Sequence, residues 1–221
     1  MATTSTARPP ATAKAAPPDR LPFTGDDEAD RLIAGDGTAL LIGFVLDQQV
    51  TVQKAFAGPL EIRRRLGSID AGALAATDPA TLRSAFAERP AVHRFPGTMA
   101  ERVQALSKHL VAGYSGDGAA VWRDVADGDE LWRRLSALPG IGPMKARTLM
   151  RLLSHQYGVR PIGYEKLLPQ HPTLGDVTTA DELAAYQAAK RAHKAQLRAA
   201  GMSIDIRSRA PRGQKAAGRK R

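Results

Sequence analysis

Between Glu130 and Tyr157 the chain reads as helix, Leu138-Pro139-Gly140-Ile141-Gly142, helix, and no other segment constrains the fold as much. Glycine reaches backbone conformations closed to other residues, so Gly140 and Gly142 let the main chain come close to a ligand. Pro143 opens the second helix, where unpaired amides and the positive end of the helix dipole lie. A helix N-terminus behind a glycine turn is an anion site. Lys145 and Arg147 stand in the first turns and add charge. Such an element grips a phosphate and positions nucleic acid without reading its bases. A tight helix–helix turn with no ligand also uses Pro and Gly.

The rest of the chain after Arg20 is predicted helical, with no Asn-Gly hairpin and no sustained period-two alternation. A short helix spans Asp26 to Ala34, opened by Thr24 as its cap. Gly35-Asp36-Gly37 breaks it. The next helix runs from Thr38 to about Gln49 and is apolar almost all round, so it is buried on most sides. Pro59 resets a third helical piece before Leu60 to Leu66. Asp78-Pro79 starts another by cap plus first-turn proline. After Phe95-Pro96-Gly97, the residues Met99, Val103, Leu106 and Leu110 form one apolar helix face. Helices near Asp129, from Pro143 to Tyr157, and from Thr179 or Ala180 to Ala200 complete the pattern, with an irregular stretch from Gly158 to Asp176.

Charge narrows the partner class. The chain of 221 residues carries a net charge of +10, and Arg207, Arg209, Arg212, Lys215, Arg219, Lys220 and Arg221 sit in a tail without acids. A basic arm of this kind suits nucleic acid or another polyanion. No cysteine is present, which excludes disulfides, thiolate zinc sites and a cysteine-ligated iron–sulfur cluster. The histidines show no metal-ligand spacing, so no catalytic metal is expected. No apolar run is long enough to cross a membrane.

On these residues the sequence resembles the helix-hairpin-helix (HhH-GPD) DNA glycosylase superfamily, over roughly Ala39 to Lys166. It is similar to an actinobacterial-type branch without the iron–sulfur cluster, on four segments in order: Leu46-Asp47-Gln48-Gln49-Val50, Ala55-Phe56-Ala57-Gly58-Pro59, His93-Arg94-Phe95-Pro96-Gly97 and Gly163-Tyr164-Glu165-Lys166. The resemblance implies an all-α fold: a six-helix barrel holding the hairpin, packed against a second helical unit formed by both chain ends. It implies a nucleotide flipped into the cleft between them, with Gln49, beside Gln48, probing the gap in the stack. By residue type alone, Gln49 reads first as a polar helix end bonded to nearby backbone; the family pattern turns the reading to DNA contact. A monovalent cation at the hairpin carbonyls is implied by the resemblance only; no other cofactor is expected.

The chain also departs from the superfamily pattern. Met144 stands where the bifunctional branch has its Schiff-base lysine, which leaves Lys145 as a phosphate contact and argues against a lyase step. The superfamily aspartate is counted about twenty residues past the last hairpin glycine, which lands on Ile162. Glycosidic cleavage needs a carboxylate to stabilise an oxocarbenium-like centre and orient water. Glu165 supplies one if the loop is a few residues longer; otherwise it is a surface acid paired with Lys166 or Lys145. Asp47 is the other candidate, since an acid at the end of a buried helix must be bonded, paired or functional; alternatively it caps the turn Val50 to Lys54. Tyr164 is placed to stack on a flipped base, and His93 either contacts phosphate or caps a loop.

The expected organisation is a tail over 1–20, a terminal helical unit from 21–36 plus 159–205, a barrel over 37–158, and a basic tail over 206–221. The expected DNA contacts are Gln48, Gln49, His93, Leu138, Gly140, Ile141, Gly142, Lys145, Arg147 and Tyr164, and the catalytic candidates Glu165 and Asp47. The expected partner is double-stranded DNA bound by a monomer in the cytoplasm, at the nucleoid. The expected activity is monofunctional release of a damaged base, or lesion binding without catalysis.

Overall fold

The structure, a computed structural model, describes residues 17–199, so the expectations for most of the N-terminal tail and for the basic tail lie outside the described residues. Among these residues the protein is all-helical, with an isolated bridge between Asp127 and Ile162 as its β-pairing. Nine α-helices follow one another: α1 Asp27–Gly35, α2 Gly37–Leu46, α3 Val52–Leu66, α4 Ala71–Ala76, α5 Pro79–Ala87, α6 Pro96–Tyr114, α7 Gly128–Ser136, α8 Pro143–Gln156 and α9 Ala180–Ala199.

The helix α2 is the axis of the core. Every residue from Thr38 to Leu46 is buried, and α1, α3, α6 and the 3-10 turn Gly118–Val121 surround it. Its ends are set by different forces. Asp36 closes α1 through its N–H and caps α2 through its carboxylate, which accepts the Ala39 amide. Gly37 begins α2 because a β-carbon there would lie 2.5 Å from the Ala119 nitrogen. Phe56 stacks edge-on against both Phe23 and Phe44, at 5.0 and 5.2 Å between centroids. The buried residues form one continuous core that joins Leu21, Phe23 and Ile33 to Leu174, Val177 and Leu183.

Three local expectations are corrected. The cap of α1 is Asp26, not Thr24; the Asp26 carboxylate reaches the Glu28 and Ala29 amides, while Thr24 donates to Asp30. Pro59 does not restart a helix: α3 runs through it, because burial of Ala55, Phe56, Leu60 and Ile62 on one face outweighs one lost hydrogen bond. The helix α2 stops at Leu46, three residues short of Gln49. The expected caps and faces of α5 and α6 are observed: Asp78 accepts the Thr81 amide, and Met99, Val103, Leu106 and Leu110 are buried.

Candidate nucleic-acid interface

The hairpin presents backbone and hides its side chains. Leu138 and Ile141 are buried, and the Ile141 amide closes the turn on the Leu138 carbonyl at 3.0 Å. Gly140 has φ +82°, and a β-carbon on it would sit 3.2 Å from Val45 of α2. Gly142 has φ −82° with open space around it, so the expectation that both glycines adopt conformations closed to other residues holds for Gly140 alone. Gly142 caps α8 without a side chain, Pro143 has no N–H, and the first intrahelical bond runs from Ala146 to Gly142. The amides of Met144 and Lys145 therefore precede that bond and are available to an anion. The hairpin residues 137–144 carry no side-chain oxygen. A monovalent cation there would rest on main-chain carbonyls and a bound phosphate.

Lys145 is turned inward, away from the phosphate role expected of it. Its ammonium donates to the Phe44 and Val45 carbonyls at the C-terminal end of α2. Those carbonyls lie at the negative end of the α2 dipole, where a cation is favoured. Burial pushes the Lys145 pKa down to about 8, against the opposing field of Asp47. In the unfolded chain the same lysine titrates near 10.5. Below pH 8 both states are charged and the folded state carries the full desolvation cost; between the two values only the unfolded state holds the proton, so stability rises with pH. The stability of the wild type relative to Lys145→Met is therefore expected to rise by roughly 2–3 kcal/mol from pH 7 to pH 10. Guanidinium unfolding at the two pH values checks this, and a constant difference would contradict it.

The segment following α2 separates two adjacent glutamines. The Gln48 amide bonds the Leu46 carbonyl at 2.6 Å, and Asp47 has φ −70° and ψ 68°, so Asp47 is the centre of an inverse γ-turn. Gln48 folds back: its side chain donates to the Val45 carbonyl and accepts from Arg102 of α6. Gln49 follows the turn, takes φ +58° and is exposed. The buried His93 ring holds this shape. Its Nε2 bonds the Gln48 carbonyl at 2.9 Å, and its Nδ1 accepts the Phe95 amide at 3.0 Å. That pairing fixes the neutral tautomer with the proton on Nε2, and desolvation lowers the His93 pKa. Of the two roles expected for His93, the geometry is that of the loop cap.

Asp47 is not a cap. Thr51 caps α3 by accepting the Lys54 amide. The Asp47 carboxylate has no hydrogen-bond partner among the described residues, and burial raises its pKa against the fields of Lys190 and Lys145. A half-buried carboxylate left unbonded beside two cations is a functional-site candidate.

Glu165 is elsewhere. It lies exposed on the 3-10 turn Tyr164–Leu167, which packs against the N-terminal end of α7. There Gly128 meets the Tyr164 main chain, at 2.6 Å from a built β-carbon, and donates to the Ile162 carbonyl. The hairpin is at the other end of α7, about 13 Å along that nine-residue helix. Tyr164 is half-buried against the core. Arg147 is exposed with its guanidinium over the Trp132 ring, 5.5 Å from the centroid. The structure thus brings together Asp47, Gln48, Gln49, His93, Lys145 and the hairpin, and leaves Glu165 and Tyr164 apart from them.

Arg102 and Lys190 are site residues that the sequence did not disclose, because their partners lie 54 and more than a hundred positions away. No helix among the described residues is long and apolar enough to cross a membrane. No curated protein and no solved structure matches the chain. The sequence model of one family does match, over residues 42–203, and it is described as HhH-GPD superfamily base excision DNA repair protein. That span takes in the second half of α2 with its terminal γ-turn, the hairpin and α8, and most of the chain; this protein belongs to the HhH-GPD superfamily of base excision DNA repair proteins.

Proposed function

We propose that the protein is a monofunctional DNA glycosylase that hydrolyses the N-glycosidic bond of a damaged base, with Asp47 as the reacting carboxylate. The observation that carries this reading is the unbonded, half-buried Asp47 carboxylate at the centre of the γ-turn that precedes the exposed Gln49. In this mechanism the Met144 and Lys145 amides hold a phosphate next to the lesion, and Gln49 enters the gap left by the flipped nucleotide. The ionised Asp47 stabilises positive charge as the bond to C1′ breaks, and orients the water that attacks there. The base leaves with the electron pair of the glycosidic bond, and the proton that the attacking water loses on bonding to C1′ ends on the departed base, so that water is divided between sugar and base.

Two features support hydrolysis without strand cleavage. Met144, at the lysine position of the bifunctional branch, offers no amine and is 74% exposed. The Lys145 amine is engaged with α2 carbonyls. The second reading, lesion recognition without catalysis, draws on Glu165 standing apart from the rest of the site.

The test incubates the purified full chain with duplexes carrying one alkylated, deaminated or oxidised base, followed by hot alkali. Breaks that need alkali, on one lesion duplex, are the expected result. Breaks without alkali would overturn the monofunctional assignment. Preferential binding to a lesion duplex without breaks would leave the recognition-only reading.

A further inference from the structure

The helix α9 leaves the body of the protein halfway along its length. Leu183 is buried, Tyr186 and Gln187 are half-buried, and Gln187 exchanges side-chain hydrogen bonds with Gln53 in the first turn of α3 at 2.9 and 3.4 Å. Beyond Gln187 every residue to Ala199 is exposed except Leu197, which is half-exposed. This outer half carries Lys190, Arg191, Lys194 and Arg198, and no acid follows Glu182 in the helix.

The cations share one side of the helix. At about 100° per residue, Lys194, Arg198 and Arg191 lie roughly 40°, 80° and 100° around the axis from Lys190. Leu183 and Gln187 fall in the same sector, at roughly 20° and 60°. The face that packs on the body thus continues outward as a basic stripe. Its first member, Lys190, acts electrostatically on Asp47.

The stripe also differs from the basic clusters on α1, α3 and α7, which are paired with acids. Arg63 and Arg64 are matched by Glu28, Arg65 by Glu61, and Arg133 and Arg134 by Glu130. Arg20 and Arg31 are matched by Asp27. Among the described residues no acid pairs with any of the four α9 cations, and Lys190 instead sits 5.5 Å from the Tyr186 ring centroid.

We propose that the outer half of α9 is a second DNA-binding element, whose basic stripe lies along the phosphates of the duplex flanking the nucleotide at the hairpin and Gln49. From Lys190 to Arg198 the stripe is about 12 Å long. One strand presents a phosphate about every 3.4 Å of duplex axis, so the stripe spans three to four of them. The inference rests on the DNA-facing role of the hairpin face and is independent of whether the protein cuts a base.

The experiment compares the full chain with the triple variant Arg191→Gln/Lys194→Gln/Arg198→Gln. Glutamine keeps helix propensity, and the substituted side chains are exposed, so thermal unfolding should be unchanged. The probe is a duplex with a central tetrahydrofuran abasic analogue, followed by fluorescence anisotropy from low to moderate salt. A control triple, Arg20→Gln/Arg31→Gln/Arg83→Gln, removes the same net charge elsewhere. The slope of log Kobs against log[salt] should become shallower by about 2–3 in the α9 variant. Affinity near 0.15 M salt should fall about tenfold or more, and the hydroxyl-radical footprint should shorten on one flank. A slope equal to that of the control triple overturns the proposal, and so does a loss confined to RNA or to an acidic protein. A shallower slope in a protein that cuts no lesion keeps α9 as a DNA element and removes the glycosylase reading instead.

Discussion

Gly140→Ala is expected to destabilise the protein by about 2–3 kcal/mol and to weaken duplex binding at least tenfold, while Gly142→Ala changes stability by less than about 1 kcal/mol. The contrast comes from the backbone. Gly140 holds φ +82°, where a side chain costs about 1–2 kcal/mol. The new β-carbon would also press on Val45 at 3.2 Å, a residue with no exposed surface. Either the hairpin or α2 must shift. A shift of the hairpin moves the Met144 and Lys145 amides off the phosphate, and each charge-assisted bond lost there is worth about 1.5–3 kcal/mol. Gly142 has φ −82° and open space, so alanine fits and forfeits only the modest N-cap preference for glycine. Thermal unfolding and anisotropy on one duplex read both variants. Equal effects at the two positions would show that the turn is not held by Val45.

Why these positions differ was outside the reach of the sequence, and the reason is general to this fold. The hairpin helices, the buried α2 and the Asp78-Pro79 start were legible because each is a local pattern: an apolar period, a cap, a first-turn proline. The end of α2 was not. Asp47-Gln48-Gln49 has no helix breaker, and what stops the helix is the clamp on Gln48 by His93 and Arg102, from 45 and 54 residues away. Lys145 follows the same logic. A lysine in the first turn of an anion-binding helix reads as a phosphate ligand, and only the approach of the hairpin to the C-terminal end of α2 turns it onto the Phe44 carbonyl. The basic stripe of α9 was visible as composition, but a solvated face and an overhanging one have the same sequence. The charge pairing of α3 and α7, and its absence on α9, separates them.

The choice between Asp47 and Glu165 is decided by substitution. Asp47→Asn is expected to lower the rate of base release by at least about 10²-fold and leave duplex affinity within about threefold. Asparagine keeps the size of the side chain, and the carboxylate accepts no hydrogen bond among the described residues, so the γ-turn and the position of Gln49 should survive. The variant should be at least as stable as the wild type. Burial raises the Asp47 pKa above that of the unfolded chain, which means that ionisation at neutral pH weakens the folded state, and removing the charge relieves that penalty. The same shift places the acid limb of the wild-type turnover profile above the ordinary aspartate range, because base release fails once Asp47 is protonated. Glu165→Gln should change neither turnover nor affinity by more than about threefold, since its carboxylate is exposed beside the start of α7, well removed from the hairpin. If instead Glu165→Gln abolishes base release and Asp47→Asn does not, the flipped nucleotide lies against the loop 158–168, and Asp47 acts only as counter-charge to Lys145 and Lys190.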